Sequence, residues 1–380
     1  MNRNIFIIAF VTFAAILFSG CPPEGGDAGY SCIDGKCEAD FENPQYSSLA
    51  DCKSDCGNGG GGKEWIHGTS GYDIYLCGRN SEGYATYWKN GVAYVNKNHK
   101  NDYFGIAVAG SDVYTISAPY YFKNNGAGMT LAGTMPLPFH IAVGSGGVAH
   151  VVGGNSTTSS AYWKNGVATP LPATFIPSTN YGNSCVTVSG NDVYIAGTSV
   201  QSGGGTAAAY WKNGTVHHVG ARSTDVSTSA FSVFVSGNDI YLAGSKQAYS
   251  WLYGFTHAAC YWKNNTEVIL PGNAREATNI IVSSNGDVHV IGNETAAWQN
   301  PNGTYGGTSK AYYWKNGVIS MPAMAGYAAS FAVAGNDVYI IIDAFGNNPE
   351  EPSYLLKNGQ KIAFERGAHI IDIVAVPKGK

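Results

Sequence analysis

The chain of 380 residues repeats one two-part phrase seven times. The first part is a turn and a strand, as in Gly-Asn-Asp-Val-Tyr-Ile-Ala-Gly at 190–197, and the second is Tyr-Trp-Lys-Asn, which begins at Tyr210 in that copy. Aligning the copies puts the aspartate position at residues 73, 112, 147, 192, 239, 287 and 337, with glycine in the third copy. Alternating units every 35 to 50 residues are typical of a modular array.

Each copy predicts four short strands, lettered A to D here. In the fifth copy they are 231–235, 240–244, 258–262 and 268–270. Asn-Gly after the repeated lysine predicts a type I′ turn, because both central residues of that turn need positive φ. Strand B is apolar on both faces and should therefore be buried on both. Charged residues at 13% and 50 glycines fit short strands with tight turns.

The pattern predicts an all-β fold, a seven-bladed β-propeller. Seven B–C–D sets are present, and the final stretch 368–376 has the pattern of an eighth strand A with no strand B after it. The first set, from Gly71, has no clear strand A of its own. We therefore expect the C-terminal strand to complete the first blade and remove the open sheet edges. Six or eight blades are the alternative, because the second and third copies are short.

The repeat resembles kelch-like propellers, in which a Gly-ended strand is followed by Tyr-Trp and a return strand. Here the return strands end at Leu171-Pro172, Leu270-Pro271 and Met321-Pro322. The Tyr-Trp-Lys-Asn-Gly repeats over 64–380 are also similar to those of bacterial surface lipoproteins. That resemblance implies a lipid-anchored propeller of a bacterial, Gram-negative cell envelope.

The N-terminus has the pattern of an export signal. Arg3 precedes an apolar run over 5–18, which is followed by small residues and Cys21. The stretch 17–21 resembles a bacterial lipobox, which implies a signal peptide over 1–20 and a lipid on Cys21. The expected partner is then a membrane, and the expected location is the outer membrane or cell surface. An ordinary cleaved signal is the alternative.

A small cysteine-rich module is predicted over 32–56, between a lipidated tether over 21–31 and a glycine-rich linker over 57–63. Disulfides are expected because exported proteins meet oxidising conditions. Asp34-Gly35 predicts a hairpin turn, and 48–51 predicts the start of a helix. Two bridges are expected, with three pairings open, among Cys32, Cys37, Cys52 and Cys56. The module is either a spacer or a weak binding unit.

The predicted function is binding of a glycan or a protein through the loops that do not repeat. The B–C and D–A loops vary and share one face of the propeller, and binding commonly uses variable loops on a rigid scaffold. Their aromatic residues are the predicted contacts, unless the rings only pack on one another. The ligand-binding candidates are Tyr103, Tyr181, Tyr249, Trp251, Tyr253, Trp298 and Tyr305.

Other functions find less support in the sequence. A polysaccharide hydrolase or lyase is the alternative, but Glu276 and Glu294 lie in variable segments with no catalytic motif linking them. No metal site and no cofactor is expected, and a net charge of −4 does not favour nucleic acid. The propeller is expected to be a monomer, with Cys77, Cys185 and Cys260 as buried apolar residues.

The repeated lysines are expected to pair with the repeated aspartates. Asp192 begins strand B where Lys212 ends strand C, and most copies share this arrangement. A ring of cations for an anionic ligand is the alternative. The repeated Tyr and Trp are expected to pack between blades. The lysines are Lys89, Lys123, Lys164, Lys212, Lys263, Lys315 and Lys357.

Replacing Cys21 should release the protein from membranes. Stable anchoring requires more than one acyl chain, and a lipobox cysteine carries them. Cys21→Ala is therefore expected to shift the protein into the soluble fraction after cell fractionation. A variant that remains with the membranes would contradict the lipoprotein interpretation.

Overall fold

A computed structural model describes residues 29–33, 36–40, 71–133, 136–154, 160–178, 185–200, 205–220, 226–250, 254–299, 305–343, 353–362, 364–365 and 367–379. Contacts divide the chain into two compact units, 1–63 and 64–380. Within the described residues, no helix has the length and apolar character that a membrane crossing requires.

The first unit contains a hairpin. Strand β1 (Gly29–Ile33) pairs antiparallel with β2 (Lys36–Asp40), and Cys32 lies opposite Cys37 in the register. The pairing of Ile33 with Lys36 is in keeping with the predicted hairpin, whose turn residues 34–35 lie outside the described residues. The predicted helix start over 48–51 lies outside the described residues, as do Cys21, Cys52 and Cys56.

Seven antiparallel sheets form the described part of the second unit. Blades 1 to 3 consist of β3 (Tyr72–Arg79), β4 (Ala85–Lys89), β5 (Val92–Val95), β6 (Gly105–Ala109), β7 (Asp112–Ser117), β8 (Tyr120–Lys123), β9 (Met129–Thr130), β10 (Leu137–Val143), β11 (Ala149–Gly154), β12 (Ala161–Lys164) and β13 (Val167–Thr169). Blade 3 also has a 3₁₀ turn at Ser145–Gly147 between β10 and β11.

Blade 4 has two short inner strands, which both pair with β16. Blades 4 and 5 consist of β14 (Phe175–Pro177), β15 (Val186–Ser189), β16 (Asp192–Val200), β17 (Thr206–Lys212), β18 (Thr215–His218), β19 (Val226–Ser236), β20 (Asp239–Ser250), β21 (Gly254–Lys263) and β22 (Thr266–Ile269). Blades 6 and 7 consist of β23 (Glu276–Val282), β24 (Val288–Gln299), β25 (Tyr305–Lys315), β26 (Val318–Ala325), β27 (Tyr327–Ala334), β28 (Asp337–Asp343), β29 (Ser353–Lys357) and β30 (Gln360–Ile362).

The last strand closes the ring. Strand β31 (His369–Pro377) pairs with β3 from Arg79↔His369 to Tyr72↔Pro377 and becomes the inner strand of blade 1. Each inner strand contacts the inner strands of both neighbouring blades all the way around, including β27 with β31 and β31 with β6. The seven-bladed propeller and its closure by the C-terminal strand are therefore confirmed.

The core consists of seven apolar clusters, one between each pair of neighbouring blades. The two residues of a repeated Tyr-Trp pair belong to two different clusters, because successive strand residues point to opposite faces. In blade 5, Trp262 packs against blade 4 and Tyr261 packs against blade 6. The prediction that these rings pack between blades is confirmed. Cys77, Cys185 and Cys260 are buried free thiols, as expected.

The repeated lysine and asparagine both hold the repeated aspartate. In blade 4, Lys212 Nζ lies 2.7 Å from Asp192 Oδ2, and Asn213 Nδ2 donates to Oδ1 at 2.6 Å. The asparagine has the positive φ expected of a type I′ turn, 45° at Asn213. These ion pairs are open to solvent, which screens them, so each contributes little to stability. The predicted pairing is confirmed in six blades, with Nζ–Oδ2 distances of 2.7–3.0 Å.

Blade 3 departs from the sequence alignment by one residue. The register places Lys164 opposite His150, as Lys212 lies opposite Tyr194. The aspartate lies two residues before that tyrosine, so its counterpart in blade 3 is Val148 and not Gly147. The longer turn around Ser145–Gly147 explains the shift.

One buried carboxylate ties the ends of the ring together. Asp372 in β31 accepts hydrogen bonds from Ser330 Oγ of blade 7 at 2.7 Å and from the Ile106 amide of blade 2 at 3.0 Å. It also accepts from the Ile373 amide at 2.9 Å. Burial raises the pKa of Asp372 to about 6 even though these hydrogen bonds lower it. The closing blade is thus bonded to both of its neighbours through a single side chain.

Removing the closing strand should unfold the propeller. Strand β31 buries Ile370, Ile371 and Ile373, each of which contributes about 1.5–3 kcal/mol, against a total stability of about 5–15 kcal/mol for a typical domain. Deleting 369–379 is expected to abolish cooperative unfolding in a thermal scan. Ile373→Ala should cost about 2–5 kcal/mol and Ile373→Val about 0.5–1.5 kcal/mol. A truncated chain with an unchanged melting temperature would contradict closure.

Acid should destabilise the propeller through His140 on the inner strand of blade 3. Its Nδ1 has no hydrogen-bond partner, and burial lowers its pKa to about 4. The unfolded chain takes up this proton near pH 6.5, so stability is complete above that pH and falls as the pH drops toward 4. His140→Leu should therefore remove about 2 kcal/mol of the loss between pH 7 and pH 5, as measured by urea unfolding. Parallel stability curves for both proteins would refute this assignment.

Candidate functional site

Two hairpins on the face that carries the B–C and D–A connections, called the loop face here, are longer than the others. Strands β20 and β21 have 12 and 10 residues, against 6 and 4 for β7 and β8 of blade 2. Their ladder runs without interruption from Tyr241↔Lys263 to Ser250↔Gly254. The strands predicted for this copy, 240–244 and 258–262, left the residues between them as a loop. That prediction was wrong for 245–250 and 254–257, because they continue the hydrogen-bonded ladder.

An exposed aromatic pair lies near the tip of the blade 5 hairpin. Tyr249 and Phe255 are directly opposite in the register, with ring centroids 5.0 Å apart. The two residues are 49% and 64% exposed, whereas most of the aromatic residues that the structure describes are buried in the core. Rings held this way offer apolar area and π faces to a ligand at little entropic cost, because each has only two rotatable bonds.

Polar groups share the strand face of these rings. Gln247 is two residues from Tyr249 and His257 is two residues from Phe255, and strand residues two apart point to the same side. Gln247 Nε2 and His257 Nε2 are 3.5 Å apart. Burial, followed by the nearby charge of Arg275, lowers the pKa of His257. The imidazole is therefore neutral at neutral pH and presents one donor and one acceptor.

This polar and aromatic face belongs to the side of blade 5 that packs on blade 6. Gln247 and Tyr249 alternate in phase with Tyr241, which lies in the core between those two blades. On blade 6, Tyr312 belongs to the same core, and its hydroxyl donates to Glu294 at 2.7 Å. Lys310 Nζ lies 3.8 Å from the same carboxylate. The neighbouring sides of both hairpins thus carry hydrogen-bonding groups.

The acidic residues of blade 6 do not form a catalytic pair. Glu276 lies opposite Asn293 and accepts from the Tyr327 hydroxyl of blade 7 at 3.3 Å. Glu294 follows Asn293 and bonds to Tyr312 on the side toward blade 5. Because successive residues point to opposite faces, the two carboxylates lie on opposite sides of one sheet. A glycosidase needs its two carboxylates on either side of a single bond.

The structure corrects one of the predicted ligand contacts. Tyr103 is fully buried, and its hydroxyl accepts from Asn96 and donates to Asn125. It also packs on Phe122, with ring centroids 5.4 Å apart. Tyr103 was expected on the surface because it falls between strands, but it fills the core between blades 1 and 2.

The other candidates have different outcomes. Tyr249 is exposed on the hairpin described above. The backbones of Trp298 and Tyr305 lie in β24 and β25 of the second long hairpin. Tyr181, Trp251 and Tyr253 lie outside the described residues. Gln247 and His257 were not among the predicted contacts, although residues two apart from an aromatic residue share its face if the segment is a strand.

In the part of the chain that the structure describes, no group of three or more His, Cys, Asp and Glu side chains is arranged to hold a metal ion. His217 stacks on Tyr210 with ring centroids 4.8 Å apart.

Comparisons with known proteins add the following. No protein-family model matches the chain, and no curated protein matches it in sequence. Among solved structures, it is similar to extracellular domains 1–2 of Drosophila Semaphorin 1a, with 14% identity and a TM-score of 0.34, over 55% of this chain and 52% of that chain. It is also similar to sucrose-6-phosphate hydrolase from Lactobacillus gasseri, with 9% identity and a TM-score of 0.26, over 87% of this chain and 90% of that chain. A B. subtilis levansucrase mutant gives 9% identity and a TM-score of 0.25, over 83% of this chain and 88% of that chain.

Proposed function

We propose that this protein is a binding module that recognises a glycan through the loop face of blades 5 and 6. The observation that carries the proposal is the exposed Tyr249–Phe255 pair with Gln247 and His257 on the same strand face. Sugars present apolar ring faces beside hydroxyl groups, and this surface offers ring faces beside an amide and an imidazole. A protein ligand is the second candidate, because exposed aromatic residues also anchor protein interfaces.

Several features support binding rather than catalysis. The blade 5 hairpin is a regular pair of strands on a closed ring, so its exposed rings are positioned without a ligand. Glu276 and Glu294 are separated by the sheet itself. A binding surface requires only complementarity, which the aromatic and polar residues provide.

The proposal extends to where the protein acts. Its signal-like N-terminus and Cys21 support a lipid-anchored protein of a bacterial outer membrane or cell surface. Disulfides among the four clustered cysteines fit the oxidising conditions there, and the Cys32↔Cys37 register lies within a hairpin that these bridges would staple. A propeller anchored in this way would present its loop face to ligands outside the cell.

Removing the exposed rings should abolish binding and leave the fold intact. The double variant Tyr249→Ala and Phe255→Ala is expected to lose at least about tenfold in affinity, because each stacked ring contributes about 1–3 kcal/mol in comparable sites. A glycan array identifies the ligand, and titration calorimetry with the best sugar measures the change. The melting temperature should not change, because both rings are exposed.

Tyr94→Ala is the matched control, because Tyr94 is an exposed aromatic residue at 42% on blade 1. It should bind as the unaltered protein does. Retained affinity in the double variant would place the site elsewhere. A hydrolysis screen with the same glycans tests catalysis, and turnover that is lost in Glu294→Gln would replace the binding function with a hydrolase. Binding to a purified protein but to no glycan would favour the second candidate.

A further inference from the structure

Blade 3 is the one described blade whose repeated lysine has no carboxylate partner. Lys164 stands in register with the six paired lysines, but Val148 occupies the aspartate position. Asn165 keeps its backbone role, since its Oδ1 accepts from the Ala149 amide at 2.8 Å. In the six other blades, the equivalent Nδ2 donates to the aspartate Oδ1 at 2.6–2.9 Å. Two donors that elsewhere converge on one carboxylate therefore have no acceptor among the described residues of blade 3.

His150, which lies beside this position, has fewer hydrogen-bond partners than the equivalent histidine of blade 6. Blades 3 and 6 share the same longer A–B turn, in which the Gly144 amide donates to the Val148 carbonyl at 2.9 Å and the Ser283 amide donates to the Asp287 carbonyl at 3.0 Å. In blade 6, His289 is held between the Tyr313 hydroxyl at 2.7 Å and Ser283 Oγ at 3.1 Å.

In blade 3 only one of these two contacts is kept. The Tyr162 hydroxyl lies 2.7 Å from His150 Nδ1, but Gly144 replaces the serine and leaves Nε2 without a hydroxyl partner. Burial, with a smaller effect of Lys164, lowers the pKa of His150 to about 4. Burial raises the pKa of Tyr162 to about 12. Both groups are therefore neutral at neutral pH, and a phenol that donates to Nδ1 leaves the imidazole proton on Nε2.

These residues border a pocket between blades 3 and 4, on the face that carries the A–B and C–D turns. The pocket has a volume of about 550 Å³, which is large enough for a small organic ligand. Lys164, His150 and Val148 line it on blade 3, and Asn191 and Asn213 line it on blade 4. None of its lining residues is an aspartate or a glutamate. Its single formal charge is the ammonium of Lys164.

A neighbouring pocket provides an internal comparison. It lies between blades 2 and 3, has a volume of about 440 Å³, and shares the Gly144–Gly147 turn. Its lysine, Lys123, is bonded to Asp112 at 2.7 Å, so the charge there is already balanced. The pocket between blades 3 and 4 differs because its lysine is not balanced by a side chain of its own blade.

We propose that the pocket between blades 3 and 4 binds a small molecule through its carboxylate group, which takes up the hydrogen bonds that the aspartate accepts in the other blades. Lys164 Nζ holds the carboxylate beside Val148, and His150 Nε2 donates to a second polar group of the ligand. The six internal pairs show that this lysine and asparagine suit a carboxylate, with Nζ–Oδ2 distances of 2.7–3.0 Å. The site lies on the opposite face from the proposed glycan surface and is independent of it.

The test uses the full chain with isotope-labelled histidine and follows the ring signals of His150 and His289 by NMR. D-glucuronate is the probe, and D-glucose is its uncharged counterpart. Glucuronate should shift the His150 signals in a saturable manner, while glucose should not. His289 is the control within the same molecule, because its tyrosine and serine partners are both present.

Three variants complete the test. Lys164→Gln removes the charge, and Val148→Asp supplies an internal carboxylate that six blades already accommodate, so each should weaken glucuronate binding at least about tenfold. Lys315→Gln, the matched change in blade 6, should leave the affinity unchanged. No shift of His150 at millimolar glucuronate, an equal shift with glucose, or undiminished binding in both blade 3 variants would overturn the proposal. Binding of inorganic phosphate without binding of glucuronate would overturn the carboxylate assignment.

Discussion

The hydrogen-bonded pairing of β31 with β3 is the contact on which the rest of the molecule depends. Without it, blade 1 lacks its inner strand and the ring has two open sheet edges. Every other blade is built from neighbouring segments and packs mainly on the next blade, so none of them can supply this closure. Asp372 strengthens the junction, because its buried carboxylate bonds blade 1 to blades 2 and 7.

The repeated features could be predicted from the sequence, because comparing the copies shows which residues the turns and strands require. The Asn-Gly turns, the Tyr-Trp pairs and the lysine–aspartate contacts could be predicted from one copy and checked against the others. The candidate site could be predicted only in part. Whether Tyr103 is exposed depends on packing between two blades, and the length of the β20–β21 hairpin depends on pairing across residues that occur only once. The partners of His150 and His289 become visible only when strand register aligns two blades whose turns have the same length.

The turns on one face of the propeller are similar from blade to blade, whereas the loops on the other face differ. The turn face is nearly uniform, because short turns leave little freedom for each copy, so a single substitution there stands out against six unaltered copies. Blade 3 is such a case at Val148, which replaces the aspartate of the six other blades, and comparison with blade 6 adds Gly144 in place of Ser283. The loop face has no such reference, and its chemistry must be inferred from exposed rings and from the polar groups beside them.

Closure by the last strand is also the strand pairing with the greatest sequence separation in the ring. Strand β31 must find β3 across nearly 300 residues of chain (297 from Tyr72 to His369), whereas every other sheet forms between segments close in sequence. Long-range pairing is slow, and the exposed edge of an incomplete sheet readily pairs with another chain. Until β31 pairs, one side of β3 is an open sheet edge, so this pairing also removes the edge at which a second chain could add to the ring.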